Sequence, residues 1–167
     1  MFFLSFIFGK NYILKHLFKV ALNWIKKEPS TDRTTKFYSK SHHILIDGKP
    51  ELEVSAAKAF KGNPNLYNPE DLLLSSLTSC HMMSYLYCCA QHKIEVISYT
   101  DHSEATLVVN ADGSGKIIVV NLFPEVIIAD ETQIELALSL HKKANELCFI
   151  ANSCNFPVYH NSTCTTP

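Results

Sequence analysis

The chain has 167 residues, of which 47% are hydrophobic and 19% charged. That length is one domain's worth, and the composition excludes a disordered or fibrous protein. Fifteen basic against sixteen acidic side chains leave a net charge of −1, which gives no support to a nucleic-acid binder, and no apolar run approaches the roughly 18 residues that span a bilayer.

Residues 1–8 (MFFLSFIF) are apolar and precede Lys10, Lys15, Lys19, Lys26 and Lys27. A secretory signal carries its charges before the apolar stretch and ends on a small-residue cleavage site; neither holds here. Residues 1–18 therefore read as an N-terminal extension, either a contact for a membrane surface or partner, or a segment docked loosely on the domain. Residues 19–27 (KVALNWIKK) alternate as a first strand, and residues 28–36 are a polar link. HHILID, Gly48-Lys49-Pro50 and ELEVSA form a hairpin around a Gly/Pro turn. Residues 60–68 are a Gly/Pro/Asn loop.

The next segment carries the clearest signals. Asn68 is a good N-cap, Pro69 suits the first helical position, and Glu70 and Asp71 favour the positive end of the helix dipole. A helix is predicted over 68–91, apolar nearly all round and hence buried, with Ser75, Ser76, Ser79 and Ser84 permitting close approach by a second helix. Residues 94–109 and 116–128 read as two long strands around the Asp112-Gly113 turn, with Pro124 interrupting the second. Residues 130–152 predict a second helix, capped by Asp130 or Thr132, with Leu136, Leu140, Ala144 and Leu147 as its apolar stripe. A short strand (FPVYH) and a polar tail, 161–167, complete the chain. The order β-β-β-α-β-β-α-β implies an antiparallel α+β fold with two main helices against a sheet, the domain proper covering 19–160.

Six cysteines remain: Cys80, Cys88, Cys89, Cys148, Cys154 and Cys164. No CxxC or HxxxH pair gives a zinc pattern, and vicinal Cys88–Cys89 bridges poorly in regular structure. A chain of this size needs no disulfide staples, so the expectation is free thiols in a reducing, cytoplasmic compartment. Cys80 and Cys148, one on each helix, are candidates for a reactive pair. Buried packing residues are the alternative from spacing alone. His81 points about 100° round the helix from Cys80 and reads as a core or interface histidine. Cys88, Cys89 and Cys154 read as packing residues and Cys164 as an incidental thiol. His42 and His43, on a strand, face opposite sides and make no metal pair. Phe60, Leu66, Tyr67 and Phe149 line an apolar pocket or are plain core.

Asn68-Pro69-Glu70-Asp71-Leu72-Leu73, followed by Leu77-Thr78-Ser79-Cys80-His81, resembles the signature of the OsmC/Ohr family, the osmotically inducible protein C and organic hydroperoxide resistance proteins. Glu146-Leu147-Cys148-Phe149-Ile150-Ala151-Asn152-Ser153 resembles that family's second cysteine motif, and the Asp47-Gly48 hairpin also fits. The resemblance covers roughly residues 19–160. It implies an intertwined homodimer with the 68–91 helix central, acting as a thiol-dependent peroxidase on organic hydroperoxides. It implies Cys80 as the peroxidatic nucleophile, Cys148 as the resolving thiol and Glu70 at the active-site glutamate position. It implies no metal or organic cofactor, and a dithiol or lipoylated protein as reductant. The family's active-site arginine falls near Lys40, so lysine stands where the family has arginine. Lysine lowers a neighbouring thiol's pKa but lacks the planar two-donor fork; Arg33 is the other candidate cation. Glu70 lies ten residues before Cys80, about 15 Å along a helix. It therefore acts through a bridging cation or on a partner's Cys80, or it simply stabilises the helix dipole. A low-turnover binding or redox-sensing protein on the same fold is the alternative function, with a thiol-dependent hydrolase or transferase third.

Overall fold

A computed structural model describes residues 14–26 and 38–167. Arg33 and most of the expected extension and polar link lie outside the described residues. The order is β1 (Ala21–Asn23), β2 (His42–Leu45), β3 (Leu52–Val54), α1 (Pro69–Gln91), β4 (Val96–Asp101), β5 (Glu104–Val109), β6 (Gly115–Leu122), β7 (Pro124–Ile128), α2 (Ile134–Leu147), α3 (Phe149–Ser153), β8 (Val158–His160) and β9 (Thr163–Thr165). This is the α+β class the sequence predicts. Among the described residues no helix is long and apolar enough to cross a membrane.

The helix α1 starts where its capping chemistry says it should. The Asn68 side chain accepts from the Asp71 N–H at 2.9 Å, and the Asp71 carboxylate accepts from the Asn68 N–H at 3.2 Å. Each side chain satisfies a donor that the first turn leaves open. Pro69 at the first position loses no intrahelical bond. The helix ends at Gln91, and Lys93, with a φ of 58°, turns the chain away from α1.

The two long strands expected over 94–109 and 116–128 are each broken in two. One long hairpin turns at Gly113, whose φ of 84° suits glycine, and then bends sharply. Its outer half pairs β5 with β6, and its inner half pairs β4 with β7 in a different sheet. The bend is held by Asp101, whose Oδ1 accepts from the Phe123 N–H at 2.9 Å and from the Ser103 hydroxyl at 2.8 Å. Strand β8 then adds parallel to β6, and β9 parallel to β7. The sheets are thus β5-β6-β8 and β4-β7-β9, with β1-β2-β3 separate. The polar residues after 160 include β9, whose Cys164 packs on the core.

Helix α1 bridges two clusters of buried side chains. Its N-terminal half packs Leu77 with Val120 and Leu122, under Ile150 and Ala151 of α3. Its C-terminal half packs Tyr85, Cys88 and Cys89 with Val126 and Ile128 of β7 and with Ala137, Leu140 and Ala144 of α2. The small side chains that let the helices approach are Ala137 and Ala144. The serines Ser75, Ser76 and Ser79 are exposed instead. Within one chain α1 is buried along one face only: Leu73, Met83, Leu86 and Tyr87 are exposed on the other.

The second helix also differs from expectation. A 3-10 turn, Glu131–Gln133, precedes α2 and is capped by Asp130, whose Oδ1 accepts from the Thr132 N–H at 2.9 Å. The helix then breaks at Cys148, whose extended backbone (φ −72°, ψ 107°) separates α2 from α3. The Asn152 side chain donates to the Glu146 carbonyl at 2.8 Å, satisfying an acceptor that the end of α2 leaves open.

Candidate active site

The break at Cys148 places a thiol at the junction of α2 and α3, both of which pack against α1. Cys148 is fully buried, and its Sγ caps α3 by accepting from the Ala151 N–H at 3.4 Å. Cys80 lies on α1 between Leu77 and Tyr85, near enough to Cys148 to influence its ionisation. All six cysteines are free thiols. Burial pushes the Cys148 thiol up to about 11, and the Cys80 neighbour pushes the same way against the Ala151 N–H. At neutral pH the Cys148 thiol is therefore protonated. Cys80 is 9% exposed and Cys148 is fully enclosed.

The two other proposed site residues stand apart from this pair. The Lys40 ammonium donates to the Phe60 carbonyl at 2.7 Å. Glu70 sits in the first turn of α1, and its Oε2 is buried with no hydrogen-bond partner. Among the described residues neither takes part in an ion pair. Tyr67 and Phe149, candidates for an apolar pocket, are exposed in the single chain. A cavity of about 510 Å³ lies on another flank of α1, lined by Thr78, Met82, Tyr99 and Asp101 among others.

One feature was not legible as a site. His81 of α1, His141 of α2 and His160 of β8 lie together, with ring centroids 5.4 to 6.0 Å apart. His81 Nε2 and His141 Nδ1 are 3.1 Å apart and hydrogen-bonded. Tyr85 stacks on His141 with ring centroids 4.0 Å apart. The only sequence signal is His81 following Cys80; nothing in the sequence singles out His141 or His160. Among the described residues no group of three or more His, Cys, Asp or Glu side chains is arranged to hold a metal ion. Here the facing nitrogens of His81 and His141 point at each other.

Desolvation lowers the His81 pKa to about 4 and the His141 pKa to about 3. Nearby histidines add to both shifts, and Asp101 partly offsets that of His81. Both folded values lie below the unfolded value, so the unfolded chain binds more protons in between. The stability gained from keeping these rings neutral is full above about pH 6.5 and is lost as pH falls towards the folded values. Denaturant unfolding at pH 7.5 and pH 5 should show a loss of roughly 2 kcal/mol per imidazole at the lower pH. Equal stability at the two pH values would contradict this account of the cluster.

The bent-hairpin α+β scaffold defines the fold class, and similarity to known proteins identifies the family. The sequence model of the OsmC-like protein family matches residues 62–161, so the chain belongs to that family. An OsmC-like protein of unknown function from Vibrio cholerae is 28% identical, with a TM-score of 0.78 over 89% of this chain and 99% of that one. An organic hydroperoxide resistance protein from Elizabethkingia anophelis is 21% identical, with a TM-score of 0.64 over 92% of this chain and 100% of that one. The organic hydroperoxide resistance protein OhrB of Bacillus subtilis is 19% identical, with a TM-score of 0.60 over 90% and 98%. At those last two identities the likeness is one of fold. No curated protein matches the sequence.

Proposed function

We propose that this protein is a thiol-dependent peroxidase that reduces organic hydroperoxides to alcohols. The observation that carries the proposal is the nearness of Cys80 to the Cys148 thiol, which burial and that neighbour hold protonated. The Cys80 thiolate attacks the distal oxygen of the hydroperoxide. The O–O bond breaks, the alkoxide takes a proton and leaves as the alcohol, and Cys80 becomes a sulfenic acid. Cys148 sulfur then attacks Cys80 sulfur. The S–O bond breaks, and the hydroxyl leaves as water with the proton that Cys148 held. An external dithiol, either a small molecule or a lipoylated protein, returns two electrons and two protons. No metal or organic cofactor takes part in this scheme.

Lys40 and Glu70 complete the proposed site from a second copy of the chain. Glu70 is too far along α1 to reach the Cys80 of its own helix, at about 1.5 Å rise per residue, and its buried oxygen lacks a partner. The exposed face of α1 and the exposed Leu22 and Trp24 around β1 are apolar surface that a second copy would cover. Sedimentation should therefore give about twice the 18.8 kDa chain mass; a monomer at micromolar concentration would remove Lys40 and Glu70 from the site.

The test of the chemistry is peptide mapping after one equivalent of cumene hydroperoxide, with and without later dithiol. A rapid Cys80–Cys148 disulfide that dithiol reverses is expected. If both cysteines stay reduced, or oxidise no faster than Cys164, the peroxidase reading falls. A low-turnover binding or redox-sensing protein then takes its place.

A further inference from the structure

The histidine cluster touches α1, which carries Cys80, and α2, which ends at Cys148. Cys80 and His81 are adjacent on α1. His141 lies seven residues, two turns, before Cys148, and Ala137, Leu140, His141 and Ala144 form one buried stripe leading towards it. Helix α1 thus carries one imidazole and one thiol, and α2 carries the second imidazole and ends at the second thiol.

The geometry of the imidazole contact is specific. The ring planes lie within 11° of each other and the centroids are 5.4 Å apart. Nitrogens 3.1 Å apart fit that centroid spacing with the rings edge to edge, so that an N–H points along the partner's lone pair, the geometry a hydrogen bond prefers. The contact is also enclosed. His81 and His141 are 1% and 0% exposed, Tyr85 covers one face of His141, and His160 packs beside both rings. Tyr99 and Asp101 of β4 are the groups facing the cluster from the sheet. A ring that slid along either helix would lose a buried hydrogen bond, a costly outcome for groups this enclosed.

We infer that His81 and His141 are positioning residues: their hydrogen bond fixes α1 against α2 in the register at which the Cys80 and Cys148 sulfurs meet. The histidines need not touch substrate. Misplacement of reacting groups by about 1 Å can cost on the order of a hundredfold, so a clasp one residue from one thiol and two turns from the other has leverage over both. Its consequence for turnover rests on the peroxidase reading; its effect on the thiol pair does not.

The experiment therefore measures the pair directly, by exchange with a cyclic small-molecule disulfide and without hydroperoxide. Cys80 and Cys148 lose two protons and two electrons to the reagent, whose ring opens to the dithiol. The equilibrium constant reports how well the protein presents the two sulfurs to each other. His81→Leu and His141→Leu should each lower that constant at least about tenfold. His81→Gln places an amide near the Nε2 position and His141→Asn near the Nδ1 position, so these variants should stay within about threefold of the parent. Should the leucine variants fail to fold, His81→Asn is polar but too short to reach His141, and it should show the same tenfold loss. Folded leucine or asparagine variants at position 81 with an unchanged constant would overturn the inference, leaving the histidines as packing residues. Equal losses in the conservative and disruptive variants would also overturn it, since the hydrogen bond would then not be the cause. A normal constant with no hydroperoxide-driven disulfide would leave the clasp standing and remove the peroxidase reading.

Discussion

Cys80→Ser is expected to abolish hydroperoxide turnover, by at least about a thousandfold, because the hydroxyl that replaces the thiol is a far weaker nucleophile at neutral pH. The exchange is nearly isosteric, so the fold should survive it. Position 80 lies inside α1, where a serine hydroxyl can bond the carbonyl one turn back; Ser76 already does this with Leu73 at 2.7 Å. The stability change should stay within about 1 kcal/mol. The Cys148 pKa should move down from about 11, because the Cys80 thiol is one of the groups holding it up. Coupled peroxide consumption measures the first effect and thiol alkylation against pH measures the last. Turnover that persists in Cys80→Ser would sink the mechanism, whereas Cys164→Ser, in β9, should leave turnover intact.

Much of the fold was legible because its signals are local. The cap of α1 is written in Asn68, Pro69 and Asp71, all within one turn of the helix start, and the helix spans the predicted residues. The hairpin of β2 and β3 and the turn at Gly113 follow from short Gly-containing sequences in the same way. The misses share a different cause. The break between β4 and β5 depends on Asp101 reaching the Phe123 N–H, 22 residues away. Strand β9 has only three residues and pairs with a strand more than thirty residues earlier. The split of the second helix at Cys148 uses no glycine or proline; the Cys148 sulfur and the Asn152 amide provide it through bonds to the backbone. The candidate thiols were visible as motif residues, and their nearness to one another required the tertiary structure. The histidine cluster joins residues 81, 141 and 160 from three elements, and no local pattern links them. Conversely, the apolar character of α1 all round was correctly read, but one chain buries only one side of it.

Cys148→Ser should separate the two halves of the proposed reaction, because this position serves both the fold and the chemistry. In the fold, the Cys148 sulfur caps α3 through a 3.4 Å bond from the Ala151 N–H. Serine is among the best N-cap residues, so its oxygen keeps or improves that cap and α3 should stay folded. In the chemistry, serine cannot form a disulfide with the Cys80 sulfenic acid. One equivalent of hydroperoxide should still be consumed per chain at close to the parent rate. Steady turnover with a dithiol should then fall by at least about tenfold, since reduction must proceed through an intermolecular attack that lacks the effective molarity of a held neighbour. A sulfenic-acid trap such as dimedone should add at Cys80 in this variant and much less in the parent. With excess peroxide the unresolved sulfur should advance to sulfinic acid, which dithiols do not reverse. Undiminished steady turnover would show that Cys148 does not resolve Cys80, and loss of the first equivalent as well would place Cys148 in the attack itself.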